Sequence, residues 1–201
     1  LRWSFSRSIC TALPFSLSIA YYLYNSNKEY ESYSLRLEEY RKERNNFLNN
    51  SSSSPLRNSP YKLSYYDPNV NFKVIASVMQ KERVDTITLA TSTGNSERFI
   101  DFATLNFKLG RSKFTLPVYK YLEGENKGDL FFCFLDKTNN NSTYPGGRYI
   151  DIEFENAKRI ELDFNKSYNP YCVYNEEFSC PIPSKKNYID MEIRAGEKLS
   201  K

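Results

Sequence analysis

A chain of 201 residues suits one domain of ordinary size plus an appendage, and 40% hydrophobic against 26% charged residues allows a buried core. The net charge of +4 is concentrated at the front: residues 1–60 hold eight Lys/Arg and five Asp/Glu, residues 61–201 twenty and nineteen. So balanced a body lacks the basic excess that phosphate neutralisation needs, which argues against nucleic acid as a partner. Histidine is absent, which removes the commonest general base and the commonest metal ligand together.

The first 27 residues, "LRWSFSRSICTALPFSLSIAYYLYNSN", carry Arg2 and Arg7, no acid and six serines. Residues 9–24 are free of charge, and Trp3 at one end with Tyr21, Tyr22 and Tyr24 at the other resemble the aromatic belts of a membrane interface. Three readings stay open: a signal peptide, an Arg- and Ser-rich mitochondrial transit remnant, or a retained single-span anchor. The anchor is the working expectation, in the mitochondrial inner membrane. The alternative is another membrane, with the large domain on its non-cytoplasmic side. Residues 28–50 place Tyr30, Tyr33, Leu37, Tyr40 and Phe47 at helical spacing, which predicts an amphipathic helix. It packs either on its own domain or on a partner subunit. Residues 51–60, rich in Ser with two prolines, read as a linker.

From residue 61 to 201 the pattern changes to period two. Eight short runs (72–79, 84–91, 102–109, 113–122, 128–136, 148–155, 159–164 and 188–195) read as strands. In "YIDIEFE", Tyr149, Asp151, Glu153 and Glu155 share one face, and Ile150, Ile152 and Phe154 the other. Pro117 inside a strand implies an edge or a bulge. No strand–helix alternation follows residue 60, so the predicted fold is mainly β. It is an antiparallel β-barrel or sandwich, preceded by a membrane helix and an amphipathic helix.

The C-terminal third contains "STYPGGRYIDIEF", "LDFNKSYNPYC", "CPIPSKKN" and "IRAGEK" in that order, and upstream stand "RKERNNF", "SPL" and "LSYYDPNVNFKV". Together these words resemble the bacterial family catalogued as domain of unknown function 1684, from about Arg41 to Lys198. The resemblance implies the β-rich domain and brings no established activity. This chain departs from the family pattern with Tyr171 in "NPYC", a single proline pair member in "CPIPSKKN", and an asparagine-rich turn before Gly146 and Gly147.

Within the matched words, Arg148, Asp163, Asn165, Tyr168, Asn169 and Cys172 form a candidate ligand pocket. An Arg beside carboxylates and amides can clamp an anionic group, and a buried Asp163 can act as a base. The competing reading pairs Arg148 with Asp163 in a buried network, with Asn165 and Asn169 capping the turn. Cys172 and Cys180 are open to two readings, a disulfide or two packed thiols. A zinc site needs about four ligands and only two cysteines stand together, so no metal and no cofactor is expected. Pro170, Pro181 and Pro183 make this segment a rigid loop, placed across the barrel mouth. With no histidine to activate Cys172, the reading leans away from an enzyme. The expected function is an accessory or scaffold subunit of a membrane complex, its partners being other subunits and the lipid bilayer. The alternative is a small-molecule-binding domain or enzyme using the Arg148 pocket.

Overall fold

The computed structural model of the protein describes residues 15–57, 59–124 and 126–200. The chain divides into two compact units, one ending at Arg36 and one running from Leu37 to Lys201. A single 36-residue helix, α1 (Phe15–Asn50), covers the end of the expected membrane segment and all of the expected amphipathic helix. In the first unit Leu17, Tyr21, Tyr22, Leu23 and Tyr24 are all exposed. Residues 1–14 of the expected anchor lie outside the described residues, and among those described no helix is long and apolar enough to cross a membrane.

In the second unit the buried stripe of α1 runs through Leu37, Arg41 and Leu48, while Phe47 is 62% exposed. Position 48 lies four plus seven residues beyond Leu37, so Leu48 and not Phe47 completes the face. Within the expected linker at 51–60, residues 54–56 are buried. Leu56 joins Leu48 and Tyr174 in a small apolar cluster, and Ser54 is buried, its hydroxyl accepting from Leu56 N at 3.0 Å.

The strands in chain order are β1 (Ser64–Tyr65), β2 (Lys73–Ala90), β3 (Ser96–Leu109), β4 (Ser112–Tyr121), β5 (Leu130–Asp136), β6 (Arg148–Ile152), β7 (Arg159–Asp163), β8 (Tyr188–Ile189) and β9 (Glu197–Lys198). The main sheet has the order β6-β5-β4-β3-β2-β7, antiparallel throughout, with β8 added in parallel to β5; β1 and β9 form a separate antiparallel pair. Two runs expected as separate strands, 72–79 and 84–91, are one strand. The charged Lys81–Glu82–Arg83 is an irregularity in the register between Gln80 and Asp85, not a turn. The run expected at 188–195 is strand only at β8, and residues 190–195 are irregular because their carbonyls serve Arg148. Pro117 pairs only with Thr104 of β3, and its carbonyl accepts from Asn187 Nδ2 at 3.0 Å, so the missing N–H interrupts no ladder.

The sheet curls into a half-barrel, and both its faces are covered. Phe132 and Phe134 of β5 point into the main core with Phe107, Leu162 and Phe164. Their neighbours Phe131 and Cys133 face outward into a second cluster with Phe99, Tyr119, Tyr149 and Cys180. This double burial explains why β5 reads as an unbroken apolar run rather than an alternating one. The Pro-rich segment 170–183 therefore lies on the outer face rather than across the barrel mouth. Cys180 O accepts from Ser92 N at 2.9 Å, Ile182 N donates to Ala90 O at 2.8 Å, and the Tyr149 hydroxyl donates to Pro181 O.

Candidate functional site

Arg148, at the start of β6, is fully buried and faces no solvent. Its Nη2 donates to Asp136 Oδ2 at 2.8 Å and to Ile193 O at 2.7 Å; its Nη1 donates to Glu197 O at 3.1 Å and to Ala195 O. The guanidinium also lies 5.2 Å from the centre of the Phe134 ring. Burial works to lower its pKa and Asp136 opposes this; arginine stays charged regardless. The ion pair is therefore with Asp136, not with the expected Asp163. Asp136 ends β5, the strand that pairs with β6, and three carbonyls of the C-terminal segment wrap the cation. Arg148 is a clamp on the chain's end rather than a ligand-facing group.

The other expected site residues are divided among three places. Asp163 caps a 3₁₀ turn, accepting from Asn165 N at 3.0 Å, while the Asn165 side chain exchanges two 2.9 Å hydrogen bonds with the backbone of Asn69. Asn169 N donates to Glu197 Oε2 at 2.8 Å, and its amide donates to the Tyr174 hydroxyl at 3.1 Å. Glu197 is fully buried and binds Arg44 Nε of α1 at 2.8 Å. Burial is the largest influence on Arg44 and lowers its pKa, but the charge and hydrogen bond of Glu197 together with Tyr40 and Tyr168 outweigh it, and the net shift is upward. Cys172 stands apart on the outer face beside Cys180. Both are thiols, and Cys172 N donates to Cys180 Sγ at 3.2 Å.

Two of the expected residues, Asp163 and Tyr168, do line a cleft, of about 560 Å³. Its position follows from topology. Strands β6 and β7 are the two ends of the sheet order, and the curl brings them side by side without a ladder between them. At one end of this seam residues 153–158 join them. At the other, Tyr149 and Tyr168 exchange backbone hydrogen bonds of 2.9 and 3.0 Å. Between these closures Asp151 of β6 faces Glu161 of β7, and Tyr40 and Arg44 of α1 complete the wall with Lys166.

Asp151 is the chemical centre of the cleft. Its Oδ1 accepts from the Tyr121 hydroxyl at 2.9 Å, and its Oδ2 accepts from the Tyr168 hydroxyl. Asp151 is exposed to solvent, yet it lines the cleft and neighbouring protein crowds its carboxylate. That surrounding protein raises its pKa, and the hydroxyls of Tyr168 and Tyr121 offset the rise only in part. The Arg44 guanidinium lies 4.4 Å from the centre of the Tyr168 ring, and Lys166 Nζ 5.2 Å from that of Tyr40. Four carboxylates line the cleft against two cations, and Arg44 is already neutralised by Glu197. Lys73 pairs with Glu161 at 3.0 Å. The walls thus present a polar, negatively biased surface with aromatic faces. Sequence reasoning placed Asp151 on a polar face of β6 but gave no sign that Tyr121 and Arg44, distant in the chain, would converge on it. Among the described residues no group of three or more His, Cys, Asp or Glu side chains is placed to hold a metal ion.

Comparison with known proteins agrees with this architecture. A solution NMR structure of an uncharacterised protein from Haloarcula marismortui matches with a TM-score of 0.67 and 31% sequence identity, covering 86% of this chain and 97% of that one. A search of curated proteins gives no match. The family model described as Protein of unknown function (DUF1684) matches residues 61–198, more than half of the chain. The chain belongs to the DUF1684 family.

Proposed function

We propose that the β domain binds a small polar ligand in the seam between β6 and β7, with Asp151 as the principal acceptor. The observation that carries this reading is a solvent-exposed carboxylate held between two tyrosine hydroxyls in the lining of a cleft. A carboxyl whose pKa is raised in the folded state costs stability at neutral pH, and retained costs of this kind mark functional sites. The ligand class follows from the walls. Carboxylates accept from hydroxyl or amine donors, and Tyr40 and Tyr168 offer faces to an apolar or cationic flank. An amine or polyol fits this charge bias, and an anion does not. The test is thermal unfolding against a panel of small amines, polyols and carboxylates. A ligand at a hundredfold its Kd adds about 2.7 kcal/mol, or roughly 5–10 °C in Tm for a chain of this size. The Asp151→Asn variant should lose that gain. A panel in which only anions stabilise the protein contradicts the reading.

The exposed Leu17, Tyr21, Tyr22, Leu23 and Tyr24 of α1 favour a second reading for the N-terminal unit. In it this segment holds the domain to a membrane, or to another subunit of a membrane complex, with the mitochondrial inner membrane as the location suggested by the transit-like composition of residues 1–27. Migration of the full-length protein alone on native gels after mild detergent extraction would rule out the complex.

A further inference from the structure

The geometry points to Cys172 and Cys180 as a thiol–disulfide exchange site, in which Cys172 attacks a small uncharged disulfide and Cys180 resolves the mixed disulfide. The two residues are held together by backbone on both sides. Cys180 is pinned to the end of β2: its N–H donates to Ser92 Oγ at 3.1 Å, and its carbonyl accepts from Ser92 N at 2.9 Å. Cys172 sits in the short 3₁₀ turn Tyr171–Val173, entered from Pro170, and its N–H donates to Cys180 Sγ at 3.2 Å. The Cys172 N–H on Cys180 Sγ places the two cysteines side by side.

Access is the second observation. Cys180 is 7% exposed, whereas Cys172 is half-buried and lines a cleft of about 620 Å³ together with Tyr61, Ser92, Thr93, Tyr144 and Glu176. An incoming disulfide therefore meets Cys172 first. Glu176 is the charged group of this cleft and Tyr61 and Tyr144 are its titratable neighbours. With no cation among the described lining residues, a neutral disulfide enters more readily than an anionic one.

The missing histidine is replaced by hydrogen-bond donors. The Cys180 S–H, opposed by burial, and then the hydroxyls of Ser92 and Tyr144 stabilise a thiolate at Cys172 and lower its pKa to about 6. The Cys172 and Tyr144 heavy atoms lie 3.9 Å apart. The same contact raises the pKa of Cys180, because its proton is held by the neighbouring sulfur. This arrangement orders the two steps. First, the Cys172 thiolate forms a bond to one sulfur of R–S–S–R, the S–S bond breaks, and R–S⁻ leaves and takes a proton from water. Loss of negative charge on Cys172 then releases the proton of Cys180. In the second step Cys180 bonds to the Cys172 sulfur and the second R–S⁻ departs with that proton. The cysteine pair is oxidised by two electrons, and R–S–S–R is reduced to two R–SH.

The test uses the full-length, reduced protein with 2-hydroxyethyl disulfide as probe, read by peptide mapping under non-reducing conditions. The wild type should give an internal Cys172–Cys180 disulfide without accumulating adduct. Cys180→Ser should trap the adduct on Cys172, and Cys172→Ser should leave Cys180 reduced. Glutathione disulfide, being anionic, should react more slowly. Alkylation of the wild type with iodoacetamide gives an independent readout that needs no variant to fold: the rate at Cys172 should rise with a midpoint near pH 6. At that pH it should exceed an ordinary thiol about tenfold, after allowance for the lower nucleophilicity of a more acidic thiol. Tyr144→Phe should move the midpoint upward. A Cys172 midpoint near the ordinary value of about 8.5, or an adduct that persists in the wild type, overturns the inference.

Discussion

Replacing Arg148 with Met tests whether this side chain is structural. The substitution keeps most of the volume but removes four hydrogen bonds: one to Asp136 and three to the carbonyls of Ile193, Ala195 and Glu197. Breaking a buried ion pair from one side costs about 3–5 kcal/mol, because the remaining charge is left in the interior. Asp136 keeps three other donors through Oδ1, namely Thr138 N at 2.7 Å, Thr138 Oγ1 at 2.6 Å and Ile193 N at 3.2 Å. These soften its own loss, whereas stranded carbonyls add to the total at about 1–3 kcal/mol each where water cannot reach them. A loss of about 4 kcal/mol is therefore expected, a large part of the roughly 5–15 kcal/mol that holds a domain together. Urea unfolding followed by circular dichroism should show a strongly reduced midpoint or no folded baseline. The double variant Arg148→Met with Asp136→Leu should recover part of the loss, since an apolar pair leaves no isolated charge. A single variant that loses less than about 1 kcal/mol would refute the clamp.

Three further substitutions probe the supports of the cleft and its chemistry. Asp151→Asn should stabilise the protein relative to wild type at neutral pH. A carboxyl with a raised folded pKa favours the native state while protonated, and this advantage fades as pH rises from its ordinary 3.8 through the folded value. Urea midpoints at pH 4 and pH 7 should show the variant's relative gain growing with pH, and a gain that shrinks contradicts the reading. Glu197→Gln removes the buried partner of Arg44 and should destabilise by about 3–5 kcal/mol, detached α1 being visible as faster hydrogen exchange in residues 40–48. Gly196 has φ +75°, and a Cβ there would lie 2.1 Å from Ser167 Oγ and 2.5 Å from Ser167 O. Gly196→Ala should cost at least about 2 kcal/mol in the same unfolding assay, with insoluble expression as the extreme outcome.

Strands were legible in the sequence where the residue pattern alternates, as in β6. They were misread where charge imitated a turn. Lys81, Glu82 and Arg83 look like a loop, yet they ride on an exposed stretch of β2 that β3 continues to support on either side. The apparent strand at 188–195 shows the converse error. Ile189, Ile193 and Ala195 are buried as alternation demands, but the backbone between them bends around Arg148 instead of pairing. The Arg148 cluster was legible as a set of interesting residues and not as an arrangement. Its partner Asp136 closes a hydrophobic run and resembles an ordinary strand end. The cleft was hidden for a different reason: Asp151 and Glu153 share one exposed strand face and line the same cleft, and they look alike until the Tyr121 and Tyr168 hydroxyls are seen to converge on Asp151.

The most direct test of ligand binding at the sheet seam is a backbone amide NMR titration of the full-length protein with the best amine or polyol from the thermal panel. The account predicts saturable shifts centred on residues 150–153, 160–163 and 166–168, together with Tyr40 and Arg44, and their loss in Asp151→Asn. Shifts that leave β6 and β7 unmoved, or that persist unchanged in the variant, would contradict it.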